Sequence, residues 1–195
     1  MASVRSLGPA LITSPAIRSL QRRLAAARRQ VTGARPVVHY FHQADDPYSW
    51  LAARALVHLE ESYDVTVRPF LVPPADKAAA PDPERLCHWA LRDAQTLARG
   101  VKITPPPSRL PDASETRAAE AALAGISDAR SFSAMSTAIE AAWSAGSPLP
   151  APTGDPVAAR ERGAKLRARL GHYSGAMFHF EGEWYWGLDR LGYLE

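Results

Sequence analysis

The sequence predicts an α/β domain that is interrupted by a block of helices. Two observations lead to this fold class. A strand–helix–strand pattern occupies residues 37–71, and a strand–turn–strand pattern occupies residues 176–186. Between them, residues 84–170 have helical periodicity and no strand pattern. Hydrophobic residues make up 46% of the 195-residue chain, which is enough for a buried core.

Residues 1–35 form a basic extension with seven arginines and no acidic residue. Ser14-Pro15 is typical of a helix start, and apolar residues then recur at helical spacing (Ile17, Leu20, Leu24 and Val31). We expect this amphipathic helix to pack on the body or to contact an acidic surface. The other residues carry a net charge of −4. The pI of 9.2 therefore describes the extension and does not indicate specific nucleic-acid binding.

The amino-acid usage bears on the source of the chain. An arginine-rich, acid-free, amphipathic N-terminus also describes a mitochondrial transit peptide. Three lysines against 20 arginines, with abundant alanine, instead favour a GC-rich bacterial genome. We therefore expect a bacterial cytoplasmic protein.

The first half of the domain predicts a parallel strand pair. Val37–His42 is rich in β-branched and aromatic residues, as is the second strand at 65–71. Asp46 followed by Pro47 predicts a helix start, and the helix is expected to end near Ser62. A strand–helix–strand unit of about 35 residues implies parallel strands.

The second half predicts four helices, at 84–99, 114–123, 129–145 and 157–170. Strands then follow at 176–180 and 183–186 around a Glu181-Gly182 turn, with a terminal helix at 189–194. A βαβ unit followed by a ββα unit is the thioredoxin-like arrangement. We therefore predict a thioredoxin-like domain at 36–195 with an all-helical insertion at about 76–172.

Three motifs resemble the DsbA-like group of this fold, which includes 2-hydroxychromene-2-carboxylate isomerases and kappa-class glutathione transferases. The run 41–51 resembles the group's first-helix motif, typically Ser-Pro-Tyr-Ser followed by an aromatic residue. The run 68–71 is similar to its second strand, and 187–191 to the Gly-x-Asp-Arg-Leu start of its last helix. The resemblance covers residues 37–195.

The resemblance implies a glutathione-dependent isomerase or transferase that acts on a hydrophobic or aromatic small molecule, in a chain that forms a homodimer. Asp46 stands where redox members have their first cysteine and the isomerases have serine, and Ser49 stands at the second cysteine. The implied glutathione-contacting residues are Asp46, Pro47, Tyr48, Gly175, Ala176, Leu188 and Asp189.

Two residues depart from that pattern. A carboxylate at Asp46 is expected to be stabilised as the anion, and it accepts hydrogen bonds but has none to donate to a thiolate. Ala176 replaces the group's cis-proline, and we expect a trans bond there. The alternative to an enzyme is therefore a non-catalytic binding or scaffold protein with a degenerate site. The single cysteine, Cys87, excludes dithiol redox chemistry.

His42 adds a further catalytic candidate, because it lies within a few residues of Asp45 and Asp46. This grouping is compatible with a divalent-metal site, for which no third strong ligand is visible, or with a His–Asp proton relay in which Asp46 works as a base beside His42. Three other side chains are expected in the core, namely Cys87, Trp184 and Trp186.

Overall fold

The computed structural model describes residues 35–188, together with Ala27 and Gly33. The predicted helices at 15–31, apart from Ala27, and at 189–194 lie outside the described residues, as does Asp189.

The first half contains two parallel strands joined by two short helices. Strand β1 (Val37–His42) leads into helix α1 (Pro47–Ala53), and helix α2 (Leu56–Ser62) leads into strand β2 (Thr66–Leu71). The strands pair in parallel from Val37↔Thr66 to His42↔Leu71. The single helix predicted to Ser62 is instead divided, because the amides of Arg54 and Ala55 bond to carbonyls three residues back and tighten the backbone there.

Four helices separate β2 from the last two strands: α3 (Pro83–Gly100), α4 (Ala113–Leu123), α5 (Ala129–Ala145) and α6 (Pro156–Arg169). Each begins after an aspartate whose side chain accepts backbone N–H groups of the first turn (Asp82, Asp112, Asp128 and Asp155). The four predicted helices are thus confirmed. Within the part of the chain described, none of the helices has the length and apolar character to cross a membrane.

Strands β3 (Met177–Phe180) and β4 (Glu183–Trp186) complete a four-stranded sheet in the order β2-β1-β3-β4. Both β1–β3 and β3–β4 pair antiparallel. The β3–β4 turn holds Glu181 at φ 50° and Gly182 at φ 89°, as a tight hairpin requires. The protein therefore has the predicted thioredoxin-like fold.

Both faces of the sheet are covered. On one face Tyr40, Val67 and Phe178 pack with helical side chains such as Phe132 and Ile139. On the other face a smaller cluster contains Phe41, Val72 and Met177, with Leu166 of α6 and Leu170, which follows it, packed against the cluster. Since helices cover both faces, the open region lies beyond the carboxyl end of β1, where α1 begins.

Candidate functional site at the start of the first helix

Asp46 caps helix α1 at the carboxyl end of β1. Its Oδ1 accepts the Tyr48 N–H at 3.2 Å, and its Oδ2 accepts the Ser49 N–H at 3.1 Å. Pro47, at the first helical position, has no N–H to satisfy. The predicted N-cap and proline pair at this helix start is confirmed.

Ser49 joins three segments of the chain through one hydroxyl. Its Oγ donates to Oδ2 of Asp46 at 2.8 Å and accepts the backbone N–H groups of Gln43 at 3.1 Å and Ala176 at 3.0 Å. The side chain is fully buried. The hydroxyl proton is therefore committed to Asp46, and Ser49 acts in this structure as a fastening between β1, α1 and the segment before β3.

The segment before β3 is built on the small residues Gly175 and Ala176. No cis peptide bond occurs among residues 35–188, which confirms the expected trans bond at Ala176. Ala176 has φ 51°, and its N–H points to Ser49. A Cβ on Gly175 would lie 2.6 Å from Cβ of Gln43. The two residues thus pack against the α1 start, and the Ala176 N–H is already bonded within the protein.

A cavity of about 350 Å³ opens beside Asp46. Its walls come from the β1–α1 loop and the start of α1, the segment after β2, one face of α3, the segment before β3 and the end of β4 (Gln43, Asp45, Asp46, Tyr48, Pro74, Ala75, Ala80, Pro83, Leu86, Cys87, Ala90, Ser174 and Trp186). Most of these side chains are apolar. Two large ones are unusually open to solvent, since Leu86 is 56% exposed and Trp186 is 52% exposed. Exposed apolar surface around a concave site is typical of a small-molecule binding site.

The electrostatics of Asp46 differ from the expectation. Burial raises the pKa of its carboxyl to about 6, and the nearby charge of Asp45 adds to this, whereas the hydrogen bonds from Ser49 and Tyr48 lower it. The expected direction of the pKa shift was wrong, because desolvation outweighs the helix-cap hydrogen bonds. A carboxyl with this pKa remains mostly ionised at pH 7 and takes up a proton just below it.

Cys87 lines this cavity and is not fully buried, so the core position expected for it was wrong. Its side chain is half-buried on the α3 face that lines the site, together with Leu86 and Ala90. Their helical spacing with Pro83 was the signal that could have grouped them. Burial, followed by the charges of Asp45 and Asp46, raises the pKa of the thiol to about 11. The thiol is therefore protonated at neutral pH and is a poor nucleophile.

His42 lies in the core rather than in the cavity. Its ring meets Trp50 and Phe132 edge-on, at centroid distances of 4.6 and 5.2 Å. Its Nδ1 lies 3.0 Å from the Tyr40 hydroxyl, and burial lowers the pKa of the imidazole to about 3. The predicted relay with Asp46 was wrong, because the strand pleat directs residue 42 to the face of the sheet that packs on Phe132 of α5. Within the described residues, no three His, Cys, Asp or Glu side chains are grouped so as to hold a metal ion.

Tyr48 and Trp186 form one side of the cavity. The Tyr48 hydroxyl donates to Oδ2 of Asp93 at 2.6 Å, and its ring lies 5.8 Å from that of Trp186. The expected core position is wrong for Trp186, which faces the site. It holds for Trp184, which packs 5.4 Å from Phe41 between ring centroids. Leu188 is partly buried against the core, and Asp189 lies outside the described residues.

Comparisons with known proteins bear on the fold. No protein-family profile matches the sequence, and no curated protein matches it. Among solved structures, the chain is similar to the selenomethionine form of 2-hydroxychromene-2-carboxylate isomerase. The two share 17% sequence identity with a TM-score of 0.53, over 81% of this chain and 92% of the other. At that identity the likeness supports the fold and does not assign an activity.

Proposed function

We propose that this chain binds a small hydrophobic or aromatic molecule in the Asp46 cavity and acts on it by proton transfer, without dithiol redox chemistry. The single observation that carries the proposal is the placement of a proton-accepting carboxyl in an otherwise mostly apolar cavity. An isomerase of similar fold agrees with this reaction class but does not identify the substrate.

The acid–base role follows from the state of the Asp46 carboxyl. With a pKa of about 6, it is ionised in most molecules at pH 7 and its conjugate acid forms readily. A general base with a pKa near the working pH combines the correct protonation state with a favourable proton transfer. In the proposed step, Asp46 takes a proton from one atom of the substrate and returns it to another, so that the net reaction is an isomerisation.

Binding is tested with N-phenyl-1-naphthylamine, a neutral aromatic fluorophore. We expect its emission to rise saturably with the wild-type protein. The rise should be lost in Ala75→Trp, which fills the cavity from its wall. Ala78→Trp is the matched control, because Ala78 is exposed on the same segment and does not line the cavity. Equal binding by both variants, or no binding by the wild type, would count against the proposal.

A glutathione-dependent isomerase or transferase is the second candidate, and the Pro47-Tyr48-Ser49 motif favours it through the resemblance given above. Two hydrogen bonds within the site count against this candidate, because they occupy donors that glutathione would need. The Ser49 hydroxyl donates its proton to Asp46, and the Ala176 N–H donates to Ser49. The test follows 2-hydroxychromene-2-carboxylate by absorbance with and without millimolar glutathione. Turnover that requires glutathione would support this candidate over the first.

Binding without turnover is the remaining alternative, as expected of a scaffold or binding protein. In this alternative the ligand occupies the same cavity, but Asp46 transfers no proton. Asp46→Asn separates them once a substrate is found, because asparagine keeps an N-cap acceptor but cannot take the proton. Loss of turnover with retained binding indicates an enzyme.

A further inference from the structure

The charged side chains that line the Asp46 cavity are of one sign. Asp45 and Asp46 both line it, and no lysine, arginine or histidine is among its lining residues in the described chain. The remaining lining is apolar or uncharged, including the Tyr48 and Trp186 rings. A ligand therefore meets two carboxylates and no basic partner for an anionic group.

Both carboxylates retain acceptor capacity. Asp46 receives three hydrogen bonds, one on Oδ1 and two on Oδ2, whereas an ionised carboxylate offers about four acceptor positions. Asp45 accepts the Gln43 side-chain amide on Oδ1 at 2.9 Å. A ligand that completes these partners must supply hydrogen-bond donors.

One buried cation adjoins the cavity without lining it. The guanidinium of Arg167 donates to the backbone carbonyls of Pro73 and Ser174, each at 3.1 Å, and Arg167 is not among the lining residues. Burial raises the pKa of the Cys87 thiol, and the charges of Asp45 and Asp46 raise it further. A positive charge placed in the cavity is attracted by two carboxylates, and the Trp186 and Tyr48 rings offer it cation–π contacts.

We infer that the ligand of this cavity is a small organic cation, a protonated amine on an apolar body of about one or two rings, and that Asp45 selects it. This inference rests on the proposed function, because it takes the cavity as the binding site. Asp45 pairs with the ammonium group, which leaves Asp46 to accept a proton from the substrate. Two neighbouring carboxylates then hold different roles. Glutathione, a net anion, is disfavoured by the same two carboxylates.

Three probes with one ring system test the inference by calorimetry at pH 7.5 and constant salt: 2-naphthylmethylamine, which is protonated, 2-naphthylmethanol, which is neutral, and 2-naphthoate, which is an anion. We expect the amine to bind about tenfold more tightly than the alcohol, and 2-naphthoate to bind more weakly than either. In Asp45→Asn, which keeps the acceptor for Gln43, the preference for the amine should fall to about twofold or less. Asp64→Asn removes the same charge at an exposed position and should leave the preference unchanged.

The outcomes separate this inference from the proposed function. Binding of the alcohol or 2-naphthoate as tightly as the amine overturns the cation inference and leaves the cavity a hydrophobic binding site. Preference for the amine that persists in Asp45→Asn overturns the role given to Asp45. Failure of all three probes to bind, in a protein that also fails to bind N-phenyl-1-naphthylamine, overturns both.

Discussion

Replacing Ser49 by alanine is expected to lower the free energy of unfolding by about 3 kcal/mol, because it leaves one buried and one partly buried backbone N–H group without an acceptor. These are the amides of Gln43 and Ala176, which both bond to the Ser49 Oγ. The substitution also removes a hydrogen bond to Asp46, so the pKa of that carboxyl should rise further. Chemical unfolding of the wild type and Ser49→Ala gives the stability difference.

Ser136→Ala is the matched control for this experiment. Ser136 is as buried as Ser49, but its hydroxyl only donates to the Phe132 carbonyl one turn back in α5. Its loss leaves no backbone N–H without an acceptor, so the free energy of unfolding is expected to fall by less than about 1 kcal/mol. An equal loss of unfolding free energy in the two variants would show that the Ser49 hydroxyl does not hold the three segments together.

Replacing Gly163 by alanine is expected to cost about 3 kcal/mol or more, the second large effect. Gly163 faces β2 from the middle of α6, and a Cβ there would lie only 2.0 Å from the Leu71 carbonyl oxygen. Because the obstacle is backbone, α6 must move away from the sheet to accept the methyl group. Helix propensity favours alanine by about 1 kcal/mol, which is too little to offset the clash.

Gly100→Ala provides the opposite result with the same chemical change. Gly100 is the last residue of α3, and a Cβ at this position meets nothing within 4 Å. We expect unchanged stability or a gain of up to about 1 kcal/mol, measured as thermal midpoints beside Gly163→Ala. A midpoint for Gly163→Ala equal to that of the wild type would mean that α6 does not pack so closely on β2.

Local patterns in the sequence were sufficient for most elements of the fold. The helical periodicity of residues 84–170 is local, and it located α3, α4, α5 and α6 to within about one residue. The division of the first predicted helix was missed, because Ala53, Arg54 and Ala55 are all good helix formers. The tightened turn there does not follow from residue preference.

The site was predicted in part. The helix start at Asp46 and the small residues before β3 were found as chain segments, but their meeting at the Ser49 hydroxyl is a long-range contact. Cys87 on α3 and Trp186 on β4 also line the cavity, and no local sequence pattern predicts that these two elements meet there. His42 was misplaced because sequence proximity to Asp46 does not give the direction of a strand side chain.

The raised pKa of Asp46 has a consequence for stability. A folded-state pKa of about 6, above the ordinary value of 3.8, means that folding disfavours the ionised form. The contribution of this group to stability is thus greatest below pH 3.8 and is lost as the pH rises through 6. An aspartate that served only as a helix cap would show the reverse. A carboxylate whose ionised form is destabilised by burial beside a cavity is typical of functional sites.

The most direct test of the account is a pH titration of the Asp46 side-chain carboxyl by ¹³C NMR, assigned by comparison with Asp46→Asn. Burial of the carboxyl beside the cavity predicts a titration midpoint of about 6. A midpoint at or below the ordinary aspartate value of 3.8 would contradict it, because Asp46 would then be a helix cap with no proton to exchange near neutral pH.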